Sequence, residues 1–238
     1  MHITLRQGAS YLGVNEATVR RWIKDRGLPA HRVNERLHLN AIEVWEWAME
    51  RGLPASRKLL EEARRSPEEV PPLSELLEIG GIRHDVPGDD KSAVLASVVD
   101  TLPLAPDVDR DFLLSVLDAR EAMGSTGIGD GIAIPHVRNP ILLHVDRPFV
   151  TLALLRRPVE FGAIDGQPVH AVFLVVSPSV PAHLKVLAHL GFVLRDPGLR
   201  ALLQERASAE RILARVRELE QRTTGSFPAP GGRGGRLR

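Results

Sequence analysis

The sequence lacks cysteine altogether and is poor in aromatic residues, which make up 4% of its 238 positions. Without cysteine there can be no disulfide, no thiolate zinc site and no cysteine nucleophile, and the absence fits a reducing compartment. No apolar run approaches the roughly 20 residues of a bilayer span, and the first residues lack the basic-then-apolar order of a signal peptide. We therefore expect a cytoplasmic protein without a membrane span. Its 43% of hydrophobic residues is typical of an ordinary globular chain.

A large excess of charge of either sign is also missing, since the formal net charge is +1. The segments differ, however. Residues 1–66 hold 12 Lys/Arg against 8 Asp/Glu, residues 72–222 hold 16 against 20, and the last 16 residues add 3 arginines. The near-neutral total therefore combines a basic N-terminal segment, an acidic central segment and a basic end.

Two changes in composition divide the chain. A charged stretch bounded by prolines predicts a linker over residues 53–72, with a short solvated helix inside it. From Thr223 onward the sequence is rich in Gly, Pro and Arg, which predicts a disordered tail over residues 223–238. Two domains remain: residues 1–52, here called the head, and residues 73–222, here called the body.

The first 25 residues of the head have the spacing of a helix-turn-helix. Ala9 is small enough to let two helices approach closely, and Gly13 tolerates the positive φ of a sharp turn. Val19 and Trp22 give the second helix an apolar inner face. Its outer face suits the major groove of DNA and the phosphates that flank it. The predicted DNA contacts on this helix are Asn15, Thr18, Arg20, Arg21 and Lys24.

After Gly27 the sequence predicts a strand, a polar turn at residues 34–36, a second strand, and a helix with Asn40 as its N-cap. This order of elements resembles the winged-helix family of excisionase and MerR type over about 50 residues. The resemblance implies that the second helix enters the major groove and that Arg32 and Arg36 of the wing contact the neighbouring backbone. Because so small a basic module binds DNA weakly as a monomer, we expect a homodimer on paired half-sites.

The body alternates helix-like and strand-like segments. Apolar spacing predicts helices at residues 74–82, 91–102, 109–123, 183–196 and 198–219, and short apolar runs predict strands at residues 131–136, 149–155 and 171–177. Buried strands between amphipathic helices imply a sheet covered by helices. The predicted fold class is therefore α/β, a mixed β-sheet flanked by helices and preceded by a small winged helix-turn-helix domain.

Four glycines lie between residues 124 and 131, just before a predicted strand that ends at Pro135-His136. Together with a serine and a threonine they predict a flexible segment whose backbone N–H groups can receive an anion. The pattern is neither a dinucleotide fingerprint nor a P-loop. We therefore expect an anion site but no nucleotide site.

Several motifs of the body belong together: Glu121, Gly124–Gly129, Ile132–His136, Pro158–Phe161, Asp165–Val169 and Ala182–Leu184. They resemble the EIIA domain of the phosphoenolpyruvate phosphotransferase system, of the fructose, mannitol and nitrogen-regulatory type, over about 150 residues. The resemblance implies that His136 accepts a phosphoryl group from a phosphocarrier of the HPr or NPr kind. It places His183 beside His136 and lets Arg120 contact the phosphate. The expected phosphate-binding residues of the loop are Ser125, Thr126 and Gly127.

The chemistry of these residue types agrees with the implied roles. A neutral imidazole nitrogen is a competent nucleophile towards phosphorus. The transition state needs alignment, positive charge and N–H donors, which Arg120 and the loop amides can supply, so we expect no cofactor and no metal. The predicted function is a phosphoryl-transfer protein with a mainly regulatory role, which couples the phosphoryl state of His136 to DNA binding and transcription.

Three alternatives stay open. The body could be an unphosphorylated scaffold, because Val137 follows the histidine where the family has glycine or another small residue. The protein could be an EIIA phosphoryl donor for sugar uptake, with the head as a protein-interaction module. A metal hydrolase using His136 and His183 is disfavoured because no carboxylate partner is evident. We expect Trp45 and Trp47 to pack in the core and against the linker.

Overall fold

The computed structural model describes residues 2–33, 36–51, 53, 68–106, 108–137 and 145–225. The predicted helix inside the linker, the polar turn at residues 34–35 and the tail from residue 226 lie outside the described residues. The two predicted domains are described together below, because they pack against one another.

The head is a helix-turn-helix unit followed by a small sheet and a third helix. Its elements are β1 (His2–Thr4), α1 (Leu5–Leu12), α2 (Glu16–Asp25), β2 (His31–Val33), β3 (Arg36–Asn40) and α3 (Ala41–Glu50). Gly13 ends α1 with a φ of 69°, as the predicted turn requires. Asn40 caps α3 by accepting a hydrogen bond from the backbone N–H of Ile42. The helix-turn-helix order and this cap are confirmed.

The sheet of the head contains a strand that the sequence did not predict. β1 pairs antiparallel with β3, which also pairs with β2, so the strand order is β1-β3-β2. Three residues are too few to show a periodic pattern, and only the pairing with a distant strand defines β1. Arg36, predicted in the turn, is instead the first residue of β3.

The body is a mixed β-sheet with helices on both faces, and the predicted fold class is confirmed. Its elements are α4 (Leu73–Gly80), β4 (Ile82–Val86), α5 (Lys91–Asp100), α6 (Arg110–Ala122), β5 (Gly127–Gly129), β6 (Ile132–Ala133), β7 (Phe149–Val159), β8 (Val169–Val176), α7 (Val180–Val193), α8 (Pro197–Gln204) and α9 (Ala209–Gly225). The strand order is β4-β7-β8-β6-β5. β4 runs parallel to β7 and β6 parallel to β8, whereas β7–β8 and β5–β6 are antiparallel.

Side chains of the central strands alternate between two apolar cores. Along β8, Phe173 points into the core formed with α4, α7, α8 and α9, and Leu174 points into the core formed with α5 and α6. The first of these cores continues into the head without interruption. Helix α3 makes this connection, since it packs against α7 and β5 of the body.

Three local predictions need correction. Residues 82–86 form the edge strand β4, which the sequence did not predict because its text, IRHDV, has no apolar run. The single helix expected over residues 198–219 is divided into α8 and α9, because Arg206 between them adopts a φ of 56°. Helix α9 then continues to Gly225, past the predicted start of the tail at Thr223.

Candidate functional site

His136 lies just after β6, below the surface. Its backbone forms a parallel bridge with Val175 of β8, and its side chain is 2% exposed. Nδ1 of the ring lies 2.7 Å from the carbonyl oxygen of Ile134. A carbonyl oxygen can only accept, so Nδ1 carries a proton. In the neutral ring the lone pair therefore lies on Nε2.

Nε2 of His136 and the guanidinium of Arg120 meet at one carboxylate oxygen. Oε1 of Glu46 lies 2.8 Å from Nε2 of His136, 2.6 Å from Nη2 of Arg120 and 3.0 Å from its Nε. Nε2 and Oε1 make no aligned hydrogen bond, and their contact is an ion pair only when Nε2 also carries a proton. Arg120 also donates to the carbonyl of Gly124 at 2.7 Å. All three charged or polar side chains are buried, which strengthens their electrostatic interactions.

Glu46 belongs to α3 of the head and reaches this site from 74 positions away along the chain. The sequence prediction did not include it. Every residue from Ala41 to Ala48 is buried, because one side of α3 faces the head and the other faces the body. A lone glutamate between two tryptophans of a mostly apolar helix was the available signal.

The two tryptophans of α3 face different domains. Trp45 is buried, and its ring meets His136 edge-on, with centroids 6.1 Å apart and planes at 83°. Trp47 packs against Trp22 inside the head, with centroids 5.2 Å apart, and donates to the carbonyl of Arg26. Both tryptophans are core residues as predicted, and Trp45 in addition contacts the histidine of the body.

His183 lies in the first turn of α7, with its ring centroid 5.1 Å from that of His136. Its Nδ1 lies 2.8 Å from the hydroxyl oxygen of Ser177, and its Nε2 has no hydrogen-bond partner among the described residues. Burial holds the pKa of His183 well below its ordinary value, nearby His136 lowers it further, and Glu46 opposes the shift. His183 is therefore neutral at neutral pH.

The glycine-rich stretch is more ordered than predicted. β5 and β6 form a hairpin through it, and Gly127 donates its N–H to the hydroxyl of Ser125 at 3.0 Å. Thr126 donates its N–H and its hydroxyl to the carboxylate of Glu121, the hydroxyl at 2.7 Å. The backbone donors of Thr126 and Gly127 are thus already bonded, contrary to the expected open anion nest. The small cavity beside His136 is lined by Trp45, Glu46, Arg120, Ser125, Thr126, Ile128 and Ile134.

Val137 does not line the cavity beside His136. Its side chain is buried in the core shared with α5 and α6. The side chain of Val137 therefore packs into the core of the sheet and not into the cavity.

The predicted DNA contacts lie on the head and differ in their exposure to solvent. The side chain of Asn15 caps α2 by accepting from the N–H of Thr18 at 2.8 Å, which engages it in the fold. Thr18 is half-buried, and only the backbone of Arg36 is described. The exposed members of the set are Asn15, Arg20, Arg21, Lys24 and Arg32.

Within the described residues, no group of three or more His, Cys, Asp or Glu side chains could hold a metal ion. Glu46 does supply a carboxylate beside His136 that the sequence alone did not reveal, but the metal hydrolase hypothesis gains no support from it. No helix in the described part of the chain has the length and apolar character of a membrane span.

The body and the head each match a known protein family. Residues 75–218 match the model described as "Phosphoenolpyruvate-dependent sugar phosphotransferase system, EIIA 2", and residues 3–59 match a helix-turn-helix domain. The chain belongs to the EIIA type 2 family. The predicted fusion of an EIIA domain with a helix-turn-helix domain is thereby confirmed.

Known relatives resemble the EIIA domain. The nitrogen regulatory protein of Pseudomonas aeruginosa is 34% identical over 141 residues, which cover 58% of this chain and 90% of that protein. The PTS system fructose-specific EIIABC component of Bacillus subtilis is 30% identical over 144 residues, 59% of this chain but 22% of that protein. The crystal structure of the nitrogen regulatory protein IIA-Ntr from Neisseria meningitidis superposes with a TM-score of 0.53 at 30% identity, over 60% of this chain and 97% of that one.

Proposed function

We propose that the EIIA domain accepts a phosphoryl group on Nε2 of His136 from a phosphocarrier of the HPr or NPr kind, in the cytoplasm. The proposal assigns residues 1–52 to DNA binding, residues 53–72 to a linker and residues 73–222 to phosphoryl transfer. One observation carries it: the bond from Nδ1 to the Ile134 carbonyl leaves Nε2 as the nucleophilic nitrogen, within a few ångströms of the Arg120 guanidinium.

The step moves one phosphoryl group between two imidazoles. The lone pair of Nε2 forms a new P–N bond while the P–N bond of the phosphohistidine on the carrier breaks, and that electron pair returns to the ring nitrogen of the carrier. The Nδ1 proton stays on His136, where the Ile134 carbonyl holds it. Arg120 supplies positive charge to the phosphoryl oxygens as the charge spreads over them.

The neighbouring polar groups have supporting roles in this proposal. When Ser177 donates to Nδ1 of His183, the proton of His183 lies on Nε2 and is available for a phosphoryl oxygen. The hydroxyl of Ser125 accepts from Gly127 and can still donate its own proton. Thr126 acts indirectly, since its bonds to Glu121 hold the loop in place.

The test is phosphohistidine mapping of the full chain with phosphoenolpyruvate, an EI-type enzyme and an HPr-type carrier. We expect one acid-labile label, on His136, that is lost in His136→Ala. His84→Ala is the matched control, because His84 is an exposed histidine of β4 in the same domain. A label that persists in His136→Ala would contradict the assignment.

We also propose that the head binds DNA, as a homodimer on paired half-sites, and that the phosphoryl state of the body modulates this binding. The exposed side chains of Arg20, Arg21 and Lys24 on α2 support the proposal. Replacing Arg20 and Arg21 by alanine should weaken binding and reduce the salt dependence by about one unit of slope for each lost phosphate contact. A gel shift of genomic fragments checks this result.

The second candidate function is phosphoryl donation to sugar uptake, which the likeness to the fructose-specific component of Bacillus subtilis favours. The head would then serve as a protein-interaction module. Failure to retain any specific DNA at moderate salt, together with phosphorylation of His136, would support this second candidate.

A further inference from the structure

We propose that the face around His136 is the docking surface of the head, anchored by Glu46, and that the docked head and a phosphoryl group on His136 exclude one another. The inference rests on the proposed phosphorylation of His136. It states that the head of the same chain competes with the carrier for access to His136, and that the competing group is the carboxylate of Glu46.

The first argument is the position of the carboxylate. A single oxygen of Glu46 contacts both the nucleophilic Nε2 of His136 and two nitrogens of Arg120. The two Arg120 nitrogens are those that would donate to a phosphoryl oxygen on His136, and Nε2 is the atom that would bond to phosphorus. Glu46 thus presents an anionic oxygen where the substrate group would place one.

The second argument is the burial of the site. His136 is 1% exposed and Arg120 is 6% exposed, and helix α3 supplies part of the cover. A phosphocarrier must bring its own phosphohistidine into line with Nε2, which requires direct access to that atom. With α3 in place there is no such access, so phosphorylation needs the head to leave first.

The third argument is that the rest of the interface fits a docked helix. Trp45 lies edge-on against His136, and Gly191 of α7 lies directly under α3. A Cβ at position 191 would come within 3.0 Å of Sδ of Met49 and 3.4 Å of Nε1 of Trp45. The absent side chain at Gly191 is therefore what allows α3 to approach α7 this closely.

Phosphorylation reverses the balance of charge at the anchor. A phosphoryl group on Nε2 fills the volume that Oε1 of Glu46 occupies at 2.8 Å, and it carries negative charge of the same sign. Arg120 then pairs with the phosphoryl oxygens in place of Glu46. Both effects disfavour redocking, so the phosphorylated protein keeps its head released.

The decisive measurement is the initial rate of His136 phosphorylation in the full chain, with the carrier mixture described above. Glu46→Gln keeps the shape of the side chain but removes its charge, so the head should dock more weakly and the rate should rise at least tenfold. Glu43→Gln is the matched control, since Glu43 is a buried glutamate of the same helix that pairs with His31 of the head. Its rate should stay within about twofold of the unchanged protein.

A disulfide tether tests the opposite perturbation. The chain has no cysteine, so Met49→Cys with Gly191→Cys allows a single disulfide, between α3 and α7. The oxidised form should be phosphorylated at least tenfold more slowly than the reduced form. An oxidised form that reacts as fast as the reduced form would contradict the competition between the head and the carrier.

The outcomes separate the two proposals. If no form of the protein is labelled at His136, the proposed phosphorylation itself is wrong. If His136 is labelled but Glu46→Gln and the oxidised tether react at the rate of the unchanged protein, the site is correct and the competition with the head is wrong.

Discussion

Replacing Gly191 by leucine should release the head without altering any residue of the phosphoryl site. Gly191 is in the middle of α7 and has no side chain to fill the contact with α3. Its added Cβ would lie 3.0 Å from the thioether sulfur of Met49, closer than ordinary contact, and three further carbons of the leucine would extend beyond it. The docked state therefore has to accommodate a side chain for which no space exists.

The size of the effect follows from the cost of overpacking. Inserting carbons into a packed interface costs about 1 to 3 kcal/mol. Such a cost corresponds to an increase of about 5- to 150-fold in the ratio of released to docked protein. The body should not suffer, because leucine favours a helix over glycine by roughly 0.8 kcal/mol. The rate of His136 phosphorylation should rise by the same factor, until release is complete.

The assay compares initial phosphorylation rates of the unchanged protein, Gly191→Ala and Gly191→Leu, with thermal unfolding of each as a check on the fold. The single Cβ of alanine requires the flexible Met49 side chain to move by only a few tenths of an ångström, so Gly191→Ala should change the rate by less than about threefold. A folded Gly191→Leu protein that is phosphorylated at the unchanged rate would refute the argument.

Three further predictions concern stability, measured by urea unfolding of the full chain. Since the pKa of His183 is lowered in the fold, the unfolded chain binds a proton first as the pH falls. Stability should therefore drop by on the order of 1 kcal/mol between about pH 7.5 and pH 5.5, and His183→Asn should lack this component. Gly80→Ala should cost at least about 3 kcal/mol, because its Cβ would lie 2.1 Å from the backbone oxygen of Val150, and a cost no larger than that of Gly191→Ala would contradict this. Thr126→Val should cost about 1.5 to 3 kcal/mol, because it removes a hydrogen bond to the buried Glu121 carboxylate, and an unchanged stability would argue against that bond.

Much of the fold follows from local signals in the sequence. The turn at Gly13 and the cap at Asn40 depend on the conformational preferences of single residues, so the sequence suffices to predict them. β1 and β4 depend on pairing with distant strands and carry no periodic pattern of their own. They could not be predicted for that reason.

The contacts of the site likewise fall into those that the sequence predicted and those that it did not. The proximity of Arg120, His136 and His183 was expected from the family resemblance, and the structure brings the three together. The contact from Glu46 joins two domains, and no local rule of helix or strand formation predicts which face of α3 meets which face of the body. Sequence reasoning described each domain separately and therefore missed what one does to the other.

Oε1 of Glu46 and a phosphoryl oxygen would occupy the same position beside His136, so docking of the head also affects phosphorylation of the body. Two events that exclude one another affect each other equally, so the factor by which a docked head weakens phosphoryl binding is also the factor by which the phosphoryl group weakens docking. The head then helps to set the phosphoryl-transfer potential of His136: docking returns the phosphoryl group to the carrier. An operator that keeps the head bound to DNA and away from the body would favour phosphorylation of His136. The fraction of protein phosphorylated would then increase with the fraction bound to DNA.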